Sequence, residues 1–225
     1  MDTLVAAILL LVAAPVVAML ALLVKLASRG PAFYSQTRVG KNGRPFSIYK
    51  IRTMIHNCEA VGGPRWSTAG DPRVTWIGRL LRRSHIDELP QLWNVLRGDM
   101  SLVGPRPERP EFIPGLERAL PRYRDRLTMR PGVTGLAQVQ LPPDTDLNSV
   151  RRKLSCDLCY TERASFVLDV KLMLITGFNL VGIPAQKLLR VPRGLEDDGP
   201  ASPTGESSIE IAVPMEAVCL QPEMA

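Results

Sequence analysis

The longest apolar stretch of the chain comes first. From Thr3 to Val24 there are 22 consecutive residues without a charge, which as a helix would measure roughly 33 Å and just cross a bilayer. Pro15 stands in the middle of the run, where it removes a backbone hydrogen bond and bends a helix. The pattern therefore predicts either a spanning helix or a re-entrant one that returns to the leaflet it entered. Ala14 offers no side chain to the carbonyl that the proline frees. Past residue 30 the periods shorten. Alternating residues over 32–36 and 46–52, joined through Gly40, Lys41, Asn42 and Gly43, predict a β-hairpin. Gly, Pro and small polar residues over 58–71 predict a loop. Val74, Ile77, Leu80 and Leu81 recur at helical spacing, so a helix is expected over 74–83 with Arg79, Arg82 and Arg83 on its other side. A second helix is expected to start at an Asp87 N-cap, tolerate Pro90 in its first turn and stop at Gly98. Prolines 105, 107, 110 and 114 forbid helix between them. Further helices are expected over 116–127, 147–163 and 166–181, with a turn and short strand over 132–140. The last helix is apolar enough to lie on a membrane surface or pack beside the first segment.

These elements read as an α+β protein: one small membrane-associated domain with an N-terminal re-entrant or spanning helix, a short β-hairpin and several amphipathic helices. The expected division is an anchor over 1–28, a working domain over 29–193 and a disordered acidic tail over 194–225. Charge sharpens this picture. Seven of the 22 acids and none of the 28 bases follow Arg193, so 28 bases face 15 acids before it and that part carries +13. So basic a body calls for an anionic partner: nucleic acid, lipid headgroups or a phosphorylated substrate. Lys25, Arg29, Arg38, Lys41 and Arg44 come soon after the apolar run and place the rest of the chain in the cytoplasm. A cleaved signal peptide is disfavoured, since no Lys or Arg precedes the run and no small-x-small site comes after it.

Four cysteines are too few for a disulfide scaffold. Cys156 and Cys159 form a C-x-x-C without a second pair or a preceding strand, so packing on one helix face is favoured over metal or redox chemistry.

The strongest motif is the block running from Ile86-Asp87-Glu88-Leu89-Pro90 through Gly104-Pro105-Arg106-Pro107-Glu108. It closely resembles the signature of bacterial sugar transferases, the monotopic phosphoglycosyl transferases of the undecaprenyl-phosphate sugar phosphotransferase type. The likeness extends to Gln36-Thr37-Arg38-Val39-Gly40, Tyr49 to Met54, Asp71-Pro72-Arg73 and Arg130 to Gly135, and runs from about Asp2 to Gly182. It implies a two-step reaction. The aspartate matching Asp87 attacks the β-phosphorus of a nucleotide diphosphate sugar, usually a UDP-sugar, releases the nucleoside monophosphate and becomes an aspartyl phosphosugar. Polyprenyl phosphate then takes the phosphosugar, opening exopolysaccharide, O-antigen or glycoconjugate synthesis at the cytoplasmic face of the bacterial inner membrane. Glu88 completes the essential dyad, and Mg2+ is required, with Asp87 and Glu88 its candidate ligands. The partners implied are the nucleotide sugar, polyprenyl phosphate and membrane lipids; a homo-oligomer is left open. Two departures stand out. Ala14 replaces the serine common before the anchor proline, and Cys156 and Cys159 replace aromatic residues expected around Asp157.

Elementary chemistry points the same way. A carboxylate attacking a diphosphate brings two anions together, so positive charge must be in place first. A helix N-terminus at Asp87, a magnesium ion and the guanidinium groups of Arg82 and Arg106 are the expected sources. Arg106, between two prolines, loses little freedom when it binds, which suits a phosphate clamp. Lys50 and Arg52 share one face of a strand and are candidate phosphate or headgroup ligands, with solvated edge charges their alternative; Arg130 is a candidate for substrate binding or for structure, and a structural salt bridge is the alternative for Arg82 and Arg106. His85 is expected to pack or lie at the surface rather than relay protons. Asp144-Thr145-Asp146 matches the D-x-D of metal-dependent glycosyltransferases, which release a diphosphate, but lacks a βαβ context. A catalytically inactive basic membrane-surface scaffold would not need the dyad, and no nucleic-acid-binding module is present.

Overall fold

In the computed structural model, the described residues are 2–183 apart from 61, 62, 64–66, 69, 145 and 181; the acidic tail expected over 194–225 lies outside them. The apolar run forms one helix, α1 (Asp2–Ala27), with Pro15 inside it. It is long and apolar enough to cross a membrane, and its outward face carries Leu4, Leu11, Val12, Leu22 and Leu26 exposed. Both ends nevertheless reach the same body. Ala6 joins the main core, Val24 is buried against Ile51, Ile77 and Leu81, and the Asp2 carboxylate accepts a hydrogen bond from Ser101.

The hairpin pairs β1 (Phe33–Val39) with β2 (Pro45–Ile51), Phe33 opposite Ile51 and Val39 opposite Pro45, and turns on Asn42 in the left-handed region. It is the expected hairpin with a longer first strand. Helix α2 (Trp76–Arg83) starts at a Thr75 cap whose hydroxyl accepts from the Gly78 amide. A Cβ at Gly78 would overlap the Thr53 carbonyl, so only glycine lets α2 lie directly on the chain leaving β2. Leu80, expected inside, is exposed along with Trp76, while Ile77, Gly78 and Leu81 are buried.

The helix expected from Asp87 begins later. Residues Ile86–Glu88 form a 3-10 turn, and α3 (Gln91–Leu96) starts after Pro90. Proline has no N–H to donate to Ile86, so the chain passes through bonds from Leu89 to Ile86 and from Trp93 to Pro90 before α-helix can form. Helix α3 packs on α1 and on the hairpin. Asn94, fully buried, fixes the second contact: it accepts from the Tyr49 amide at 3.2 Å and donates to the Ser47 carbonyl at 2.7 Å.

Beyond α3, β3 (Ser101–Val103) pairs in parallel with β4 (Gly132–Thr134). Between them come α4 (Ile113–Ala119) and a 3-10 turn at Tyr123–Thr128, where one helix over 116–127 was expected. Arg122 in the left-handed conformation separates the two. After β4 lies α5 (Leu136–Gln140), which the turn-and-strand expectation missed. Helix α6 (Leu147–Arg163) has the expected bounds and begins at a capping box in which Asp146 and Ser149 bond each other's amides. Helix α7 (Phe166–Leu180) buries Leu168, Leu172 and Ile175 in the core that holds Ala6 and leaves Phe166, Val167 and Phe178 outside. Cys156 and Cys159 pack in that same core.

Replacing Asn94 with Ala strands two backbone groups of β2 at about 1–3 kcal/mol each. A thermal melt of the detergent-solubilised protein should show a clearly lowered midpoint; an unchanged midpoint would mean that other groups carry the α3–β2 contact.

Candidate active site

The dyad sits on the 3-10 turn between α2 and α3. His85 before it adopts the left-handed region at φ 53°, ψ 14°, and its carbonyl accepts the Glu88 amide at 3.1 Å. His85 is exposed and shapes the turn through its backbone, as a surface residue. Asp87 and Glu88 both turn inward, 6% and 9% exposed. No α-helix N-terminus lies at Asp87; the dipole expected there is absent because α3 begins four residues later.

The two carboxylates live differently. Glu88 accepts from Lys50 at 2.8 Å and from both ends of the Arg106 guanidinium, with Nη1 at 3.1 Å from Oε2. Burial alone would raise its pKa, but Arg106 and Lys50 outweigh it and hold the group well below the usual range. Lys50 in turn is lowered by burial, against the pull of Glu88. Asp87 has no side-chain hydrogen bond among those of the described residues. Burial and the Glu88 charge raise its pKa, while Lys50, Arg82 and Arg106 pull it down. The site thus holds one clamped carboxylate beside one that faces three cations without being bonded to any.

Of the sequence candidates, the fold brings together Asp87, Glu88, Lys50, Arg82 and Arg106. Arg82 is braced by Thr53 at 2.8 Å and Ser67 at 2.7 Å. Arg52 goes elsewhere: its guanidinium donates to the Arg29 carbonyl, and to the Ser28 carbonyl and hydroxyl at 2.9 Å each, so it caps the C-terminal end of α1. It points away from its expected companion Lys50 because the chain leaves its strand after Ile51. Arg130 is exposed and lines a cavity of about 410 Å3 with Asp2, Lys41, Tyr160 and Asp169, which no dyad residue lines.

Sequence reasoning missed the charged layer beneath Arg106. Arg126 and Asp157, each 3% exposed at the side chain, pair at 2.7 Å. Glu108 meets Arg38 at 3.4 Å and Lys153 at 3.7 Å, and Lys153 meets Asp144 at 2.6 Å. The one available signal was an unexplained Asp157 in the middle of an apolar helix face. This layer also absorbs the D-x-D: Asp144 pairs with Lys153 and Asp146 caps α6.

No group of three His, Cys, Asp or Glu side chains able to hold a metal occurs among the described residues. The dyad still fits a magnesium ion of the kind bound through one or two carboxylates and substrate phosphates. Asp87 offers unbonded oxygens, whereas those of Glu88 are taken by Arg106 and Lys50.

Known proteins are similar to this chain over most of its length. The sequence model of the bacterial sugar transferases matches residues 1–182. The chain is 46% identical over 180 residues to a UDP-glucose:undecaprenyl-phosphate glucose-1-phosphate transferase of Caulobacter vibrioides, covering 78% of this chain and 66% of that protein. It is 42% identical over 184 residues to a UDP-N-acetylgalactosamine-undecaprenyl-phosphate N-acetylgalactosaminephosphotransferase of Aeromonas hydrophila, covering 79% and 43%. A UDP-glucose:undecaprenyl-phosphate glucose-1-phosphate transferase of Escherichia coli is 39% identical over 181 residues, covering 79% and 38%. The chain thus spans between about two fifths and two thirds of the length of these relatives. On a match that takes in the dyad, its cations and every described element, the chain belongs to the bacterial sugar transferase family.

Proposed function

We propose that this chain is a phosphoglycosyl transferase that moves a sugar-1-phosphate from a UDP-sugar to undecaprenyl phosphate and releases UMP, through a covalent intermediate on Asp87. The observation that carries the reading is the unequal dyad, Glu88 clamped by Arg106 and Lys50 and Asp87 left unbonded. Adjacent acids with environments this different divide their roles. The named relatives, which use UDP-sugars and undecaprenyl phosphate, support the substrates.

In the first step a carboxylate oxygen of Asp87 bonds the β-phosphorus and the bond from that phosphorus to the bridging oxygen breaks, so UMP leaves with the electron pair. In the second a phosphate oxygen of the polyprenyl carrier attacks the same phosphorus and returns Asp87 to its ionised form. Arg82, Lys50 and Arg106 lower the repulsion between Asp87 and the incoming diphosphate, and Arg106 has the planar fork for phosphate oxygens. Glu88 holds Arg106 and Lys50 in place for that task. A bound magnesium ion would be held by the unbonded oxygens of Asp87, with the Glu88 carboxylate beside them, and would supply further positive charge for the leaving phosphate.

The anchor is proposed to be re-entrant, with the domain on the cytoplasmic face of the inner membrane. A straight crossing by 26 residues would set its ends about 39 Å apart on opposite faces. Asp2 and Ser28 both bond residues of one body, Ser101 and Arg52, which favours return to one side.

Four results are expected. Asp87→Asn should abolish UMP release while the protein still folds and reaches the membrane, and near-normal release would sink the nucleophile assignment; Arg106→Lys should lower turnover by a smaller factor. Asp87 must be ionised to attack, so activity should fall as pH drops through its raised pKa. Lys50→Met removes a charge that lowers that pKa, so the acid limb of the pH–rate profile should move to higher pH; a limb that stays or moves down would contradict the arrangement. A single cysteine replacing Thr3, in a chain without its native cysteines, should resist an impermeant maleimide in intact cells and react once the membrane is opened.

A further inference from the structure

The segment from Pro105 to Glu108 presents Arg106 to the dyad, and its two prolines leave it few N–H groups by which to be held. The fold grips its carbonyls instead, four in succession. Pro105 accepts from the Gly132 amide of β4 at 3.0 Å, and Glu108 from the Val39 amide of β1 at 2.9 Å. Pro107 accepts from Arg38 at 3.2 Å. Arg106 itself accepts from Arg126 Nη2 at 2.8 Å.

Arg126 is the deepest of these donors. Its other nitrogen donates to the Tyr123 hydroxyl at 2.8 Å, its guanidinium stands 5.2 Å over the Tyr123 ring, and Asp157 of α6 pairs with it. A buried ion pair is a poor way to fill a core, since an apolar pair of similar volume is often at least as stable. What an apolar pair would not provide is a rigid donor at the Arg106 carbonyl.

We propose that Arg126, locked by Asp157, is a positioning residue that sets the Arg106 backbone so that its guanidinium clamps Glu88 and leaves Asp87 open to substrate. This rests on the transferase reading of the dyad. Arg126 lies on the 3-10 turn after α4 and, among the described residues, makes no hydrogen bond or ion pair to either carboxylate of the dyad. Its effect runs through the main chain of Arg106.

The test uses full-length protein in lipid nanodiscs and two variants. Arg126→Lys keeps the charge opposite Asp157 but loses the fork that reaches three acceptors; Arg126→Met/Asp157→Leu removes both charges and strands neither. Each leaves the Arg106 carbonyl and the Tyr123 hydroxyl without their donor and lowers the melting temperature, so rates are compared per folded molecule well below the midpoints, where each should lose about tenfold or more in kcat/KM for UMP release, the scale expected of a small misplacement of a reacting group. In an Arg106→Gln background, Arg126→Lys should add little to the rate loss, because it acts through the group already removed, whereas a mere drop in folded fraction would add in full. Hydrogen exchange at the Val39 and Gly132 amides should quicken in both variants, and this readout needs no substrate. Wild-type turnover in the variants, full additivity with Arg106→Gln, or unchanged exchange would each overturn the proposal. Absence of UMP release from the wild type would count against the transferase reading alone, with hydrogen exchange still deciding the positioning.

Discussion

Two adjacent carboxylates kept charged out of water set the terms for the rest of this structure. Asp87 and Glu88 repel each other and both lose hydration, so the turn that carries them is tenable only with cations brought to it. Three elements deliver them: β2 brings Lys50, α2 brings Arg82, and the chain after β3 brings Arg106. Glu88 takes two of the three by direct bonds. What remains is a carboxylate in a positive field with no bonded partner, the arrangement that an anionic electrophile needs.

Holding those elements in register explains much of the buried polarity. Asn94 stitches α3 to β2 and thereby fixes the dyad turn relative to Lys50. Thr53, directly after β2, accepts from Arg82 and lies against Gly78 of α2. On the far side, Arg126, Asp157, Arg38, Glu108 and Lys153 form a buried charged layer under Arg106. Asn94 thereby satisfies backbone groups on the edge of β2 away from β1, and Arg126 the carbonyl of Arg106.

The apolar helix is part of this framework. Ala6 and Val24 belong to the body's cores, and Arg52 caps the carbonyls at the helix's end. Arg52 and Lys50 thus divide two tasks within three residues, one joining the apolar helix to the body and the other charging the site. A helix tied at both ends holds its exposed leucines at a set distance from the dyad.

Much of this was legible in local sequence. The long apolar helix, the hairpin, the bounds of α6 and the dyad block come from periodicity, turn residues and motif, because each depends on residues within a turn or two of one another. The start of α3 departs from the local pattern, because Pro90 suits a first helical turn by residue type while its missing N–H postpones the helix to Gln91. Roles that depend on partners far away in the chain were not legible: Glu88 meets Lys50 38 residues off, Arg82 meets Thr53 29 off, and Arg126 meets the Arg106 carbonyl 20 off. Motif and residue type mark Lys50, Arg52, Arg82, Arg106 and Arg130 alike as candidate phosphate ligands, and do not separate Arg52 at a helix end or Arg130 at another cavity from the three that face the dyad. The sequence by itself determined the long helices, the hairpin and the charged residue types of the site, because hydrogen-bond period and side-chain type are local properties. Only the tertiary structure decided which carboxylate is clamped and which is left unbonded, because charge neutralisation acts through space between strands and turns that are far apart in the chain.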